Sequence, residues 1–331
     1  MKKLLTKLLN LLEYSRISNS GVEISKVSLG TLVIKDKSFA SKLIAYSIEK
    51  GVNYFDTSDG YLAGESETIL GEILSNYKRE TYLLGSKAFF SKGESVLQKG
   101  LNKKNIYHSV ESSLKKLKTD YLDIFYCHRF DPNTPVEETL YAINQLINQG
   151  KILNWGVCGY SVFQLCEIYY TAKQRLISTP SVAQYAYNLF NRTIELELNE
   201  ALRKLEIGVI GYYPLAQGVL TGKYTNGIPS NSRASDLALK RSMWDFNPEK
   251  IMKSTIFKDF AESRGLTSAS LAIFWCFNNK NIKSVITNAS SIEQFEDNLK
   301  FLQISLEKEE LIELENIFNN YPVNQYTGFK F

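Results

Sequence analysis

The 331-residue sequence predicts an α/β fold, a (β/α)8 TIM barrel with an N-terminal hairpin and extra C-terminal helices. Three observations predict it. Eight short apolar runs of β type recur along the chain, and each is followed by a stretch of helical periodicity. The length suits one barrel of roughly 250 residues with end helices and loops to spare. The competing doubly wound sheet would want a GxGxxG after an early strand, and the sequence has none.

In order, a hairpin opens the ordered pattern, with 14–17 and 22–25 flanking Asn19-Ser20-Gly21. The eight runs are VSLG (27–30), VNYFD (52–56), TYLLGSK (81–87), LDIFYCH (122–128), LNWGVC (153–158), SVAQY (181–185), GVIGYY (208–213) and IKSVIT (282–287). Helical patterns between them cover 38–50, 66–75, 104–117, 135–149, 162–173, 195–205 and 267–279, and 291–301 and 307–318 follow the eighth run. Thr134-Pro135 before Glu137 and Glu138 reads as a helix start, with Thr134 as cap, and Gly51 and Gly150 read as helix ends. The stretch 222–247, rich in Gly, Asn, Ser and Pro, is long enough to be a functional loop. Running into its start is GVLTGK (218–223), one residue short of a P-loop and lacking the Ser or Thr after the lysine.

The extreme N-terminus, MKKLLTKLLNLLE, puts Leu4, Leu5, Leu8, Leu9 and Leu12 on one helical face. We read 1–13 as an amphipathic extension and 14–331 as a single barrel domain. Lys7 and Asn10 interrupt the apolar run, so it makes a poor signal peptide, and no stretch reaches the length of a membrane span. The net charge of +4 is scattered rather than gathered in a basic stripe, which speaks against a nucleic-acid partner. Four cysteines without CxxC spacing and only two histidines speak against zinc or a disulfide framework, and reduced thiols predict a cytoplasmic protein.

The C-terminal ends of barrel strands face the active site. Three consecutive runs close on ionisable residues there: Asp56, Lys87 and His128. Tyr61 follows in the loop after Asp56. A tyrosine acting as an acid near neutrality has too high an ordinary pKa, about 10, and a nearby ammonium would lower it. Lys87 is expected to do so, held by Asp56, while His128 orients a carbonyl oxygen. Such a site would protonate an oxygen as hydride arrives at carbon.

FDTSDGY with GESETILGEIL resembles the signature of the aldo-keto reductase superfamily around its Asp and Tyr. Lys87 and His128 match the rest of that family's tetrad in order and context. The resemblance covers about 20–310. CHRFDPNTPVEETLYAINQLINQGKILNWGV is closest in pattern to the branch holding the potassium-channel β subunits and bacterial relatives, and YPLAQGVLTGKY and ASSIEQFEDN fit as well. It implies NADP(H), bound across the barrel mouth, and a small-molecule carbonyl substrate. Carried over by position, Gln184 would bond the nicotinamide carboxamide and Tyr212 would stack on its ring. Leu215, Gln217 and Gly218 would line the pyrophosphate, and Arg233 would reach a phosphate. Ser290, Gln294, Asp297 and Asn298 would hold the adenosine end, with Ser290 and Gln294 nearest the 2′-phosphate.

The sequence departs from the family pattern at four places. Cys158-Gly159 stands where Ser-Asn or Ser-Arg is usual, Tyr213 where a Ser is usual, and Asn288 and Leu62 where glycines are usual. The expected activity is reduction of an aldehyde or ketone, including sugar or sugar-nucleotide carbonyls. The alternative is a cofactor-binding regulatory subunit with little turnover, favoured by the leucine-rich N-terminus and the altered carboxamide grip. Loops 31–37, 88–95, 129–134 and 222–247 would shape the substrate pocket. Lys35, Lys37, Lys92, Arg129 and Arg241 would place positive charge near its mouth.

Overall fold

The structure is a computed structural model that describes residues 12–17, 20–32, 36–91, 95–230, 232–240, 243 and 245–318. The helix expected over 1–13 falls, up to residue 11, outside the described residues, and so does Asn19 of the hairpin turn.

Strands β1 (Tyr14–Arg16) and β2 (Glu23–Ser25) pair antiparallel. Eight parallel strands then close a barrel: β3 (Val27–Gly30), β4 (Tyr54–Asp56), β5 (Leu83–Ala88), β6 (Leu122–Cys127), β7 (Ile152–Cys158), β8 (Val182–Ala186), β9 (Gly208–Tyr212) and β10 (Ile282–Thr287). They neighbour one another in sequence order, and β10 returns to pair with β3. Parallel strands covered on both faces read as unbroken apolar runs, and every residue of β3, β4 and β6 is buried.

The hairpin seals the N-terminal mouth of the barrel. Ile17 and Ile24 pack on Tyr54, Ile124, Tyr126, Val182 and Ile210 of the barrel interior. Asn53 fastens it: its Oδ1 accepts from Ser25 N at 2.8 Å and its Nδ2 donates to Glu23 O at 2.9 Å. That commitment explains why β4 begins only at Tyr54, two residues later than the apolar run suggested.

Helices α1 (Lys37–Glu49), α2 (Glu65–Leu74), α3 (Lys103–Leu117), α4 (Val136–Asn148), α5 (Val162–Gln174) and α6 (Leu198–Lys204) follow β3 to β8 in turn. After β9 come the short α7 (Leu237–Lys240), α8 (Pro248–Glu262) and α9 (Ser268–Cys276). After β10 come α10 (Ile292–Leu299) and α11 (Lys308–Ile317), the latter tied down by Trp275 Nε1 donating to Glu315 Oε1 at 2.7 Å.

Two expectations need correcting. Sequence periodicity assigned no helix to 248–262, yet α8 is there. Its start is conventional, with Asn247 Oδ1 accepting from Lys250 N at 3.0 Å and Pro248 in the first turn. Its apolar stripe is blurred, because Met252 and Ile256 are exposed while Phe257, Phe260 and Ala261 are buried. Thr134 does not cap α4. Pro135 holds the cap position without a side-chain bond, and the Thr134 hydroxyl donates instead to Asp131 Oδ2 at 2.7 Å.

Candidate active site

The parallel register brings the strand ends to one rim. Asp56 lies beside Gly85, Lys87 beside Tyr126 and Cys158 beside Gln184. Asp56 closes β4, Lys87 is the penultimate residue of β5, and His128 follows β6 directly. The three ionisable strand ends therefore face one space.

Lys87 Nζ donates to Asp56 Oδ2 at 2.5 Å and to Thr57 O at 2.7 Å. Both side chains of this ion pair are about 2–3% exposed. The other carboxylate oxygen of Asp56 accepts from Tyr54 OH at 3.0 Å and from Gln184 Nε2 at 2.7 Å. Gly85 makes the first of these possible, since a Cβ there would collide with the Tyr54 hydroxyl. Gln184, expected to serve a carboxamide, thus has its amide nitrogen engaged by Asp56.

Tyr61 stands over this pair, its ring centroid 5.1 Å from Lys87 Nζ. The turn that carries it is strained, with Leu62 at φ 48° and Ala63 at φ 54°. His128 sits edge-on to Tyr61, with ring centroids 5.9 Å apart, and edge-on to Phe90 at 4.8 Å. Its Nδ1 is 3.3 Å from Ser58 Oγ. Burial, reinforced by the charges of Lys87 and Arg129, pushes the His128 pKa down to about 2, so the imidazole is neutral at physiological pH.

Sequence reasoning expected the Lys87 ammonium to lower the Tyr61 pKa. The opposite holds here: burial, then the negative charge of Asp56, raises it well above the usual tyrosine value. Burial and the Asp56 charge outweigh the ammonium expected to stabilise the phenolate. Tyr61 is therefore a firmly protonated phenol, able to give a proton to an oxygen that becomes strongly basic.

These groups open into a cleft of about 1290 Å³. Asp56, Tyr61, His128, Gln184, Tyr212, Leu215, Gln217, Gly218, Arg233, Ser290, Gln294, Asp297 and Asn298 all line it, and Lys87 lies behind Asp56. The residues singled out from sequence thus converge on one concave surface. Cys158 lines it too, and its Sγ accepts from Arg129 Nη1 at 3.3 Å. Tyr213, at φ 58°, sets its ring edge-on to Tyr212 with centroids 5.0 Å apart.

At the far end Ala216, Gln217 and Gly218 all have positive φ, and Gly218 reaches 95°. Arg233 and Lys223 both line the cleft there. Burial, then the charge of Arg233, lowers the Lys223 pKa. Neither cation has an ion-pair partner among the described residues. The hydroxyls of Ser232 and Thr287, which also line the cleft, are buried without a hydrogen-bond partner among the described residues. Paired cations and orphaned hydroxyls in one groove fit an anionic group such as a dinucleotide pyrophosphate. Beyond them Ser290 Oγ donates to Gln294 Oε1 at 2.9 Å, and Asp297 pairs with Lys300 at 3.1 Å.

Lys223 was missed from sequence. GVLTGK fails as a P-loop, and without the fold nothing placed its lysine beside Arg233. Among the loop cations, Lys37 is taken by Glu72 at 2.5 Å, Lys35, Lys92 and Arg241 lie outside the described residues, and Arg129 lines the cleft. No helix among the described residues is long and apolar enough to cross a membrane.

The sequence model of the Aldo/keto reductase family matches residues 26–319, which takes in every barrel strand and the whole cleft. The chain belongs to the aldo/keto reductase family, oxidoreductases that act on carbonyls and generally bind a nicotinamide cofactor.

Proposed function

We propose that this protein is an NADP(H)-dependent reductase that converts an aldehyde or ketone to an alcohol. The observation that carries the reading is the buried Asp56–Lys87 ion pair, 2.5 Å long, lying under Tyr61 with a neutral His128 edge-on to the Tyr61 ring. The nicotinamide, when bound, supplies the hydride.

The chain's own residues supply the rest. Tyr61 holds a proton and releases it to the carbonyl oxygen as negative charge develops there. Lys87, fixed by Asp56 and Thr57 O, offers its charge to the resulting phenolate. His128 is neutral and turns its Nδ1 toward Ser58, which leaves Nε2 as the ring nitrogen to meet the substrate oxygen and orient it without adding charge. Gln184 and Tyr212 hold the nicotinamide end. Leu215, Gln217, Gly218, Lys223 and Arg233 hold the diphosphate, and Ser290, Gln294, Asp297 and Asn298 the adenosine end. We place the activity in a reducing cytoplasm, consistent with four free cysteines.

The test is NADPH oxidation by the full chain against a panel of aldehydes and ketones, beside direct titration of NADPH and NADH. Turnover with tighter binding of NADPH supports the reading. Tight cofactor binding with no turnover on any carbonyl would favour the regulatory-subunit alternative.

A further inference from the structure

The reductase reading uses Asp56, Tyr61, Lys87 and His128, and it uses the cations at the diphosphate end. It has no role for Arg129. That side chain is partly exposed and lines the cleft on the same side as His128. Its Nη1 donates to His128 O at 2.8 Å and to Cys158 Sγ at 3.3 Å. Both contacts fall on one nitrogen. Nε and Nη2 donate to nothing among the described residues, and no carboxylate among them pairs with the group.

The position of this charge is built. The guanidinium carbon lies 5.8 Å from the Phe90 ring centroid, and Phe90 is itself packed on the His128 ring. Cys158, which departs from the family pattern, thus supplies an acceptor that seats the guanidinium, and the neighbouring Gly159 lies against it, where an added Cβ would stand at an ordinary contact of 3.5 Å from Nη1. The other charges of this region are spent: Lys87 is paired with Asp56, and His128 is neutral. A guanidinium is always charged, and in this partly exposed position its remaining donors face the open cleft, where a ligand can take them. The free Nε and Nη2 form the side-on fork that matches two oxygens of one carboxylate or phosphate.

We propose that Arg129 is the anion-recognition residue of the substrate half of the cleft, so that the preferred carbonyl compounds carry a carboxylate or phosphate within a few bonds of the reacting carbon. This rests on the reductase reading and specifies its substrate class.

The experiment compares matched pairs by kcat/KM with saturating NADPH. Succinic semialdehyde against butyraldehyde reads a carboxylate, and glyceraldehyde 3-phosphate against glyceraldehyde reads a phosphate. The wild-type chain should prefer the charged member of at least one pair by about tenfold or more, the span of a charge-assisted hydrogen bond. Which pair shows the preference identifies the anion. Arg129→Gln should bring that ratio close to one, mainly through KM, and Arg129→Lys should restore part of it. Equal losses for both members of each pair would overturn the proposal and leave Arg129 a brace between His128 O and Cys158. A matching rise in the NADPH dissociation constant of Arg129→Gln, titrated directly, would overturn it too, because the charge would then serve the cofactor. Wild-type turnover of the neutral aldehydes without any preference sinks this inference alone. Failure to turn over either member of either pair sinks the reductase reading with it.

Discussion

The two halves of the cleft are built on opposite terms. Around Asp56 the charged groups satisfy one another: Lys87, Tyr54 and Gln184 all converge on one carboxylate, Lys87 is also held by Thr57 O, and the Thr57 hydroxyl is the exception, without a partner among the described residues. Around Arg233 they do not. Lys223 and Arg233 face the cleft unpaired among the described residues, the hydroxyls of Ser232 and Thr287 have no partner, and Ala216 and Gln217 sit at positive φ. The first half is preorganised without a ligand, as electrostatic catalysis requires. The second half is completed by one. Substitutions in the first should therefore act on rate and stability, and substitutions in the second on affinity.

The largest effect expected is at Tyr61. Tyr61→Phe removes the proton and keeps the ring, so kcat should fall by about 10²–10⁴-fold, the usual worth of a positioned acid. NADPH affinity should barely move, which a direct titration alongside the rate assay would check. A fall of less than about tenfold, under ~1.4 kcal/mol of transition-state stabilisation, would remove Tyr61 from the proposed role.

Asp56→Ala comes next. It strands the Lys87 ammonium in a site with about 2% exposure, and losing one partner of a buried pair costs about 3–5 kcal/mol. The double variant Asp56→Ala with Lys87→Met removes the stranded charge and should recover part of that loss in denaturant melts. No recovery would mean that the bonds from Tyr54 and Gln184, rather than the ion pair, carry the stability.

In the other half, Lys223→Ala and Arg233→Ala should each weaken NADPH by about 1.5–3 kcal/mol, the range for charge-assisted hydrogen bonds. Removing Lys223 also relieves its repulsion with Arg233, so the apo protein should melt no lower than wild type. A marked drop in apo stability would contradict the contrast between the halves, since it would make the cation part of the scaffold.

His128 links the satisfied half to pH. Its folded pKa, about 2, lies below the unfolded value of about 6.5, so below pH 6.5 the unfolded chain binds a proton that the native chain refuses. The stability present above pH 6.5 is lost as the pH falls, by up to about 1.4 kcal/mol per unit, or ~2 kcal/mol at pH 5. His128→Asn should flatten this slope in thermal melts across pH. An unchanged slope would assign it to other groups.

Much of this was legible in the sequence, for reasons that particular residues show. VSLG and IKSVIT fall on β3 and β10 to the residue, because strands buried on both faces must be short and continuously apolar. Asp56, Lys87 and His128 could be read together because strand ends share a rim whatever their separation along the chain. What was not legible depended on contacts through space. The partner of Lys37 is Glu72 in the next helix, Thr134 turns to Asp131 rather than to α4, and the Tyr61 pKa is set by burial and Asp56 rather than by Lys87. Lys223 gained meaning only beside Arg233, and α8 was hidden because its exposed Met252 and Ile256 break the expected periodicity.

The smallest effect sharpens where strain belongs in this contrast. Leu62 and Ala63 follow Tyr61 in left-handed conformations, and Gly64, at φ 90°, completes the turn. A left-handed residue with a Cβ costs about 1–2 kcal/mol, and glycine avoids that cost while losing more freedom on folding. Leu62 is half-buried, so Leu62→Gly also forfeits some packing. The three terms nearly cancel, and the net change in stability should stay within about 1 kcal/mol of zero. Gly64→Ala tests the same turn from the other side. At φ 90° any Cβ is strained, and this one would also push aside the Lys116 ammonium that reaches buried Glu67, so the substitution should be destabilising by more than Leu62→Gly in either direction. If Leu62→Gly leaves stability unchanged yet lowers kcat, the strained backbone is holding Tyr61 over Lys87. If kcat is unchanged as well, the ring is held by the side chains around it, and the strain is incidental to the chemistry.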